Sequence, residues 1–183
     1  YRIYKPFSIF NWMGLGTNLI HAHDFGGTLT NLGSEFSWQA QFKNLWSAYI
    51  GGQVYGQETD NHLLRGGPSV RMPGNAGLHG GLDSNNRKKF VAELNGNYSW
   101  GFDDVYKSAG VSLELSYRPF STLNFSIEPE FEKTFNSMQY ITEMSVTSGV
   151  YTPRYIFGSI DQKILSISLR VDYNITPDLT IQY

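Results

Sequence analysis

KILSISLRVDYNITPDLTIQY, residues 163–183, is the stretch that decides the fold. Leu165, Ile167, Leu169, Val171, Tyr173 and Ile175 alternate with Ser166, Ser168, Arg170, Asp172 and Asn174. A period of two places the apolar set on one face of an extended strand and the polar set on the other. The run outlasts the roughly 5–6 residues of a strand in a soluble domain and suits the roughly 9–11 that an oblique strand needs to cross a bilayer. Thr176-Pro177-Asp178 then reverses the chain, and Leu179, Ile181 and Tyr183 resume the alternation. Folding about that turn sets Tyr173 opposite Leu179, Val171 opposite Ile181, Asp172 opposite Thr180 and Arg170 opposite Gln182. One face then suits lipid and the other water. The expectation is a hairpin of an all-β, antiparallel transmembrane barrel, with the tight turn on the periplasmic side.

Composition agrees with that expectation and removes several others. The 183 residues carry a formal net charge of -2, so no electrostatic argument points to nucleic acid as a partner. Mean hydropathy is -0.31 and no window approaches the roughly 18 apolar residues of a membrane helix. A barrel escapes that test because only every second residue is apolar. Twelve Tyr, twelve Phe, four Trp and nineteen Gly supply what aromatic girdles and glycine-rich strands use. Cysteine is absent, which excludes thiolate metal sites, cysteine nucleophiles and disulfides within these residues. The chain starts at Tyr1 and stops at Tyr183 in mid-pattern, so it reads as part of one barrel domain, 1–183, cut at both ends.

From the N-terminus, Tyr1 to Tyr4 reads as a strand end before the turn at Pro6. A strand over 8–23 turns at Asp24-Phe25-Gly26-Gly27 and returns over 29–42, where Phe36, Trp38, Ala40 and Phe42 face one way. Lys43-Asn44-Leu45 leads into Trp46, Ala48 and Ile50, so that Phe42 and Trp46 meet at the hairpin mouth. Residues 57–68 read as a long loop, followed by a glycine-rich strand over 70–82 and a polar turn at Asn86. Phe90, Ala92, Leu94, Gly96, Tyr98 and Trp100 form the next clean alternation, and Val111, Leu113, Leu115 and Tyr117 the one after it. Past Pro119, Phe125 and Ile127 oppose Ser126, Glu128, Glu130 and Glu132, and Tyr117 is expected to pair with Phe125. A second long loop is expected over 145–154. Short turns near Pro6, Asn44, Asn86, Ser121 and Pro177 alternate with the longer connections, as outer-membrane barrels sort theirs. The count is about nine strands.

The segments LLRGGPSVRMPG (63–74), DSNNRKK (83–89), QYITEM (139–144) and residues 154–183 are sharper than pattern. In this order they resemble the C-terminal barrel domain of a family of large outer-membrane proteins of uncharacterised function, whose members carry an N-terminal family-nine, DOMON-like carbohydrate-binding module. The resemblance covers nearly the whole chain. It implies a location in a Gram-negative outer membrane, lipid as the surrounding partner, and a glycan reached through a module outside these residues. Members are often labelled hydrolases on account of that module, and no settled reaction comes with the family.

Several constellations have both a chemical and a plain reading. Glu114, Glu128, Glu130 and Glu132, with Arg118 and Arg170 on the same face, read either as a solvated acidic wall of a lumen or as carboxylates able to serve as acid and base in glycoside hydrolysis. His21 and His23 have a chelating spacing but no third ligand, so no metal is assigned. No G-x-S-x-G motif is present, and no cofactor is implied. Arg65-Gly66-Gly67-Pro68 reads either as a loop folded inward, with Arg65 meeting the acidic wall, or as a turn that needs glycine. Leu115, Ile167, Leu169 and Val171 are expected to face lipid. The resulting expectation is a barrel that anchors or feeds a carbohydrate-binding module, with an outer-membrane glycan hydrolase as the alternative.

Overall fold

The computed structural model describes residues 1–144, 153–176 and 179–183. The turn residues Pro177 and Asp178 and most of the second long loop, 145–152, lie outside the described residues. Among the described residues the fold is all-β apart from one short 3-10 turn, Phe102–Asp104. Its strands are β1 (Arg2–Ile3), β2 (Phe10–His23), β3 (Leu29–Phe42), β4 (Ser47–Tyr55), β5 (Glu58–Asp60), β6 (Val70–Met72), β7 (Asn75–Asp83), β8 (Phe90–Gly101), β9 (Tyr106–Phe120), β10 (Leu123–Met144), β11 (Arg154–Thr176) and β12 (Leu179–Gln182). Ten of them form one antiparallel sheet in the order β1-β2-β3-β4-β7-β8-β9-β10-β11-β12, and β5 pairs with β6 in a sheet of two. The ten-stranded sheet is open, with β1 and β12 at its edges.

Most strands of the main sheet form where period-two alternation predicts them, and chain reversals fall where turn chemistry is available. At residues 24–28 the Asp24 carboxylate accepts hydrogen bonds from the Gly26 amide at 2.8 Å and the Thr28 amide at 2.9 Å. The backbone bonds, led by that from Thr28, hold Asp24 below the usual carboxylate range. At residues 43–46 Leu45 takes φ 68°, the Phe42 amide donates to the Trp46 carbonyl, and the Trp46 amide donates to Asn44 Oδ1. Phe42 and Trp46 thus meet as expected, and Phe125 stands opposite Tyr117.

Four expectations are corrected. The main sheet has ten strands rather than nine. The strand expected over 70–82 is two strands in different sheets: Pro73 lacks a ladder donor, and a Cβ on Gly74 would lie 2.4 Å from the Tyr55 carbonyl oxygen, so the chain crosses between sheets there. The long loop 57–68 contains β5. In the last hairpin Tyr173 stands opposite Ile181 and Asp172 opposite Gln182, two residues from the predicted register, with an irregularity between Asn174 and Thr176. A shift of two keeps every side chain on its predicted face, which is why the pattern did not expose it.

The sheet carries one apolar and one polar face. A row of direct neighbours on the apolar face runs Leu15, Trp38, Ile50, Gly80, Gly96, Val111, Phe131, Leu165. Among the described residues no second layer covers it: Leu15, Ile50, Val111, Phe131, Leu165, Ile167 and Leu169 are all exposed. Among the described residues the buried apolar side chains are Ala40, Leu64, Ala76 and Val91. The accessible surface is 12802 Å², whereas a compact monomer of 20.7 kDa would expose about 8,900 Å². Aromatic residues border the apolar face at the short-turn rim, where the Phe10 and Phe42 rings lie 5.2 Å apart and Phe90, Tyr117 and Phe125 share one row. At the opposite border Lys133 stands directly opposite Lys163.

Candidate functional site

The polar face holds the chemistry, and register decides which groups meet. One row runs Gln41, Ser47, Asp83, Glu93, Glu114. The pairing of Ile127 with Leu115 and of Glu130 with Ser112 continues that row to Glu128, which pairs in turn with Ser168. Four carboxylates therefore stand side by side across β7, β8, β9 and β10. Directly opposed side chains have Cβ atoms about 4.5–5.5 Å apart, so this ladder is electrostatically unfavourable unless water or cations screen it. The next row runs Gln39, Tyr49, Gly81, Asn95, Ser112, Glu130, Ser166, and the one after it Ser37, Gly51, His79, Asn97, Gly110, Glu132.

Pro129 separates Glu128 from Glu130 in the interior of β10, a position where proline removes a ladder donor. It stands opposite Ile167, and no β9 partner is recorded for Glu128 or Pro129. The β9–β10 ladder is interrupted beside the acidic row.

The predicted acidic residues share the polar face, but among the described residues the predicted cations form no direct ion pair with them. Arg170 pairs with Asp172 at 2.9 Å, and Arg118 Nε donates to Asn124 Oδ1 at 3.4 Å. Asn124 Nδ2 donates onward to Asp172 Oδ2 at 3.4 Å. The two arginines are thus drawn into a cluster beyond the ladder. Glu114, Glu130 and Glu132 accept from the hydroxyls of Ser116, Ser166 and Thr134 at 3.1, 3.4 and 2.9 Å. Arg65 forms no ion pair among the described residues, which favours the second of its two readings, the turn that needs glycine. Arg65 and Gly66 take φ 50° and 108°, which is a turn, whereas Gly67 packs against Tyr155.

Rings lie across glycines on this face. A Cβ on Gly81 would come within 2.4 Å of the Tyr49 ring, one on Gly51 within 2.5 Å of His79, and one on Gly33 within 2.2 Å of Tyr55. Tyr49 Oη donates to Asn95 Oδ1 at 2.8 Å, and Tyr55 Oη donates to Glu35. Tyr49, His79, Asn95, Asn97, Glu130 and Glu132 line an open depression of about 350 Å³, and Asp83, Glu93 and Arg87 line a neighbouring one of about 380 Å³. Asp83, Glu93, Tyr49 and His79 escaped the sequence reading as site residues. Glu93 sits in the correct alternation, but its neighbours become visible only through pairing across the broad turn 84–89.

The His21 and His23 rings meet edge to face at 4.5 Å, and no third metal-ligating group joins them among the described residues. Of the residues expected to face lipid, Ile167 and Leu169 are exposed and Leu115 and Val171 half-buried, all on the apolar face.

A family model described as Domain of unknown function (DUF5916) matches residues 1–183. No curated protein and no solved structure matches the chain.

Proposed function

Since the chain belongs to the family described as Domain of unknown function (DUF5916), we propose from its geometry that it forms part of a barrel in a bacterial outer membrane, serving as anchor or conduit for a carbohydrate-binding module. The observation that carries this reading is the apolar face, continuous across the strands and, among the described residues, uncovered by any second layer. Its height fits a membrane. The ten residue steps from Leu165 to Ile175, at about 3.3 Å each and tilted by about 40°, project to about 25 Å, the height of the apolar band of outer-membrane barrels. The connections bear on it less sharply: 43–46, 84–89 and 121–122 lie at one rim, 24–28, 56–74 and 102–105 at the other, and among these described connections 56–74 alone is long.

Sidedness tests it. A cysteine at Asn61 should react with an impermeant maleimide on intact cells, and one at Ser121 only after the membrane is opened. Labelling at Ser121 alone on intact cells would invert the topology, and recovery of the full-length protein in the soluble fraction would end the reading.

One observation favours a second reading, hydrolysis of a glycan. Glu93, Glu114 and Glu128 are neighbours in one row, and retaining glycosidases need two carboxyls about 5–5.5 Å apart. The choice between wall and active site is made by Glu93→Gln, Glu114→Gln, Glu128→Gln and Glu130→Gln, introduced singly into the full-length protein and assayed for turnover of glycans. Small graded effects are expected of a wall. A loss of about a hundredfold or more from one substitution alone marks a general acid or base.

A further inference from the structure

We propose that residues 57–72 form a strap across the mouth of the curved sheet, latched to β11 where Gly67, packed on Leu64, meets Tyr155. The strap begins with the β5–β6 pair, Glu58 opposite Met72 and Asp60 opposite Val70, and β5 lies beside β3. Beyond it the chain is held by its own turns. Asp60 accepts from the amides of His62 and Leu63 at 2.7 and 2.9 Å, the Arg65 amide donates to His62, and the Gly67 amide donates to Leu64. Leu64 is only 5% exposed, which makes it the largest buried apolar side chain among the described residues, and it lies outside every strand. Gly67 explains the contact at the far end: a Cβ there would stand 2.7 Å from the Tyr155 ring and 2.8 Å from Leu64 Cβ.

Distance shows that this is a chord. From β3 to β11 the sheet order takes six steps, about 29 Å along the sheet at about 4.8 Å per strand. The seven residue steps from Asp60 to Gly67 reach at most about 25 Å when fully extended, and the successive turns after Asp60, His62 and Leu64 shorten them well below that. One short segment can lie against both strands only if the sheet curls and the segment spans the opening. The latch consists of apolar and ring contacts, and no ion pair among the described residues fastens it. Such a contact releases at modest cost, which suits a gate over the polar face.

The gating consequence rests on the barrel reading, whereas the latch does not. The test uses the full-length protein, with alkylation read peptide by peptide. In detergent, Leu64→Cys should react with maleimide at least tenfold more slowly than Asn61→Cys, and adding Tyr155→Ala or Gly67→Val should bring the two rates together. Equal rates with Tyr155 and Gly67 intact would overturn the latch. In liposomes, Tyr155→Ala should raise the permeation of a small neutral sugar several-fold. Fast labelling of Leu64→Cys with unchanged permeation would overturn the gate. Failure of the protein to enter liposomes at all would overturn the membrane reading, and the gate with it, while the detergent result stands.

Discussion

Leu169 and Ser168 are adjacent in the chain and opposite in consequence. Leu169 is 71% exposed on the apolar face, and Ser168 continues the polar row beyond Glu128. If that apolar face meets lipid, Leu169→Arg should lower folding stability in a bilayer by about 2–4 kcal/mol near the midplane, with Ser168→Arg nearly neutral. Were the same face in water, Leu169→Arg would fall within about 0.5 kcal/mol like other surface changes. Denaturant titration in lipid vesicles separates the two. Glu58 makes a prediction about pH. Burial, with Asp60 as the lesser cause, raises its carboxyl above the ordinary 4.5. Folding therefore disfavours its charged form. The β5–β6 pair should be most stable below 4.5 and should loosen as pH rises through the raised value, an effect that Glu58→Gln abolishes. Amide protection factors for residues 58–72, corrected for intrinsic exchange, report it.

Among the elements, those with strict alternation were legible in the sequence and those set by distant contacts were not. β3, β8 and β9 could be read because each holds a clean alternating stretch, 36–42, 92–100 and 111–117, and Phe125 could be placed opposite Tyr117 because the turn between them is short. The division between β6 and β7 was hidden because alternation carries no information about which sheet a strand joins. Asp83, Glu93 and Glu114 form a ladder only once three strands are in register, and no one of those strands announces it. The contact of Gly67 with Tyr155 joins residues far apart in the chain and leaves no local mark beyond the glycine. Gly81 offers a test of element packing. Gly81→Val should displace the Tyr49 ring and strain the β4–β7 pair, and Tyr49→Ala should relieve part of that strain. A double-mutant cycle should give a coupling of about 0.5–3 kcal/mol, and strict additivity would show that the ring does not need the glycine.

For the molecule as a whole, the unfinished business is at the edges. β12 pairs with β11 only from Asp172 onward among the described residues, with the Val171–Tyr183 backbone bonds completing the ladder. The preceding length of β11, residues 154–170, presents one row of backbone donors and acceptors to no strand of the sheet. A long edge with an apolar face is a template for association in water. If a barrel closes on it in the full-length protein, the β11 amides pointing away from β10 should exchange as slowly as those of β9, which is paired on both sides. Fast exchange confined to that row would show the edge to be free. Closure could not be read from the sequence, because alternation describes one strand at a time and closure belongs to the sum of their tilts and offsets.

The paired lysines at the upper border of the apolar face have a consequence for seating. Lys133 and Lys163 oppose each other directly, which repels in a neutral environment and becomes favourable where lipid phosphates crowd between them. Their long stems can lie along the apolar strands while the ammonium groups stay at the headgroups. The aromatic rings at the short-turn rim fix the other border. In a bilayer the protein would then carry its own draught marks, and a membrane thinner or thicker than the interval between them would be deformed around it at a fraction of a kcal/mol per Å.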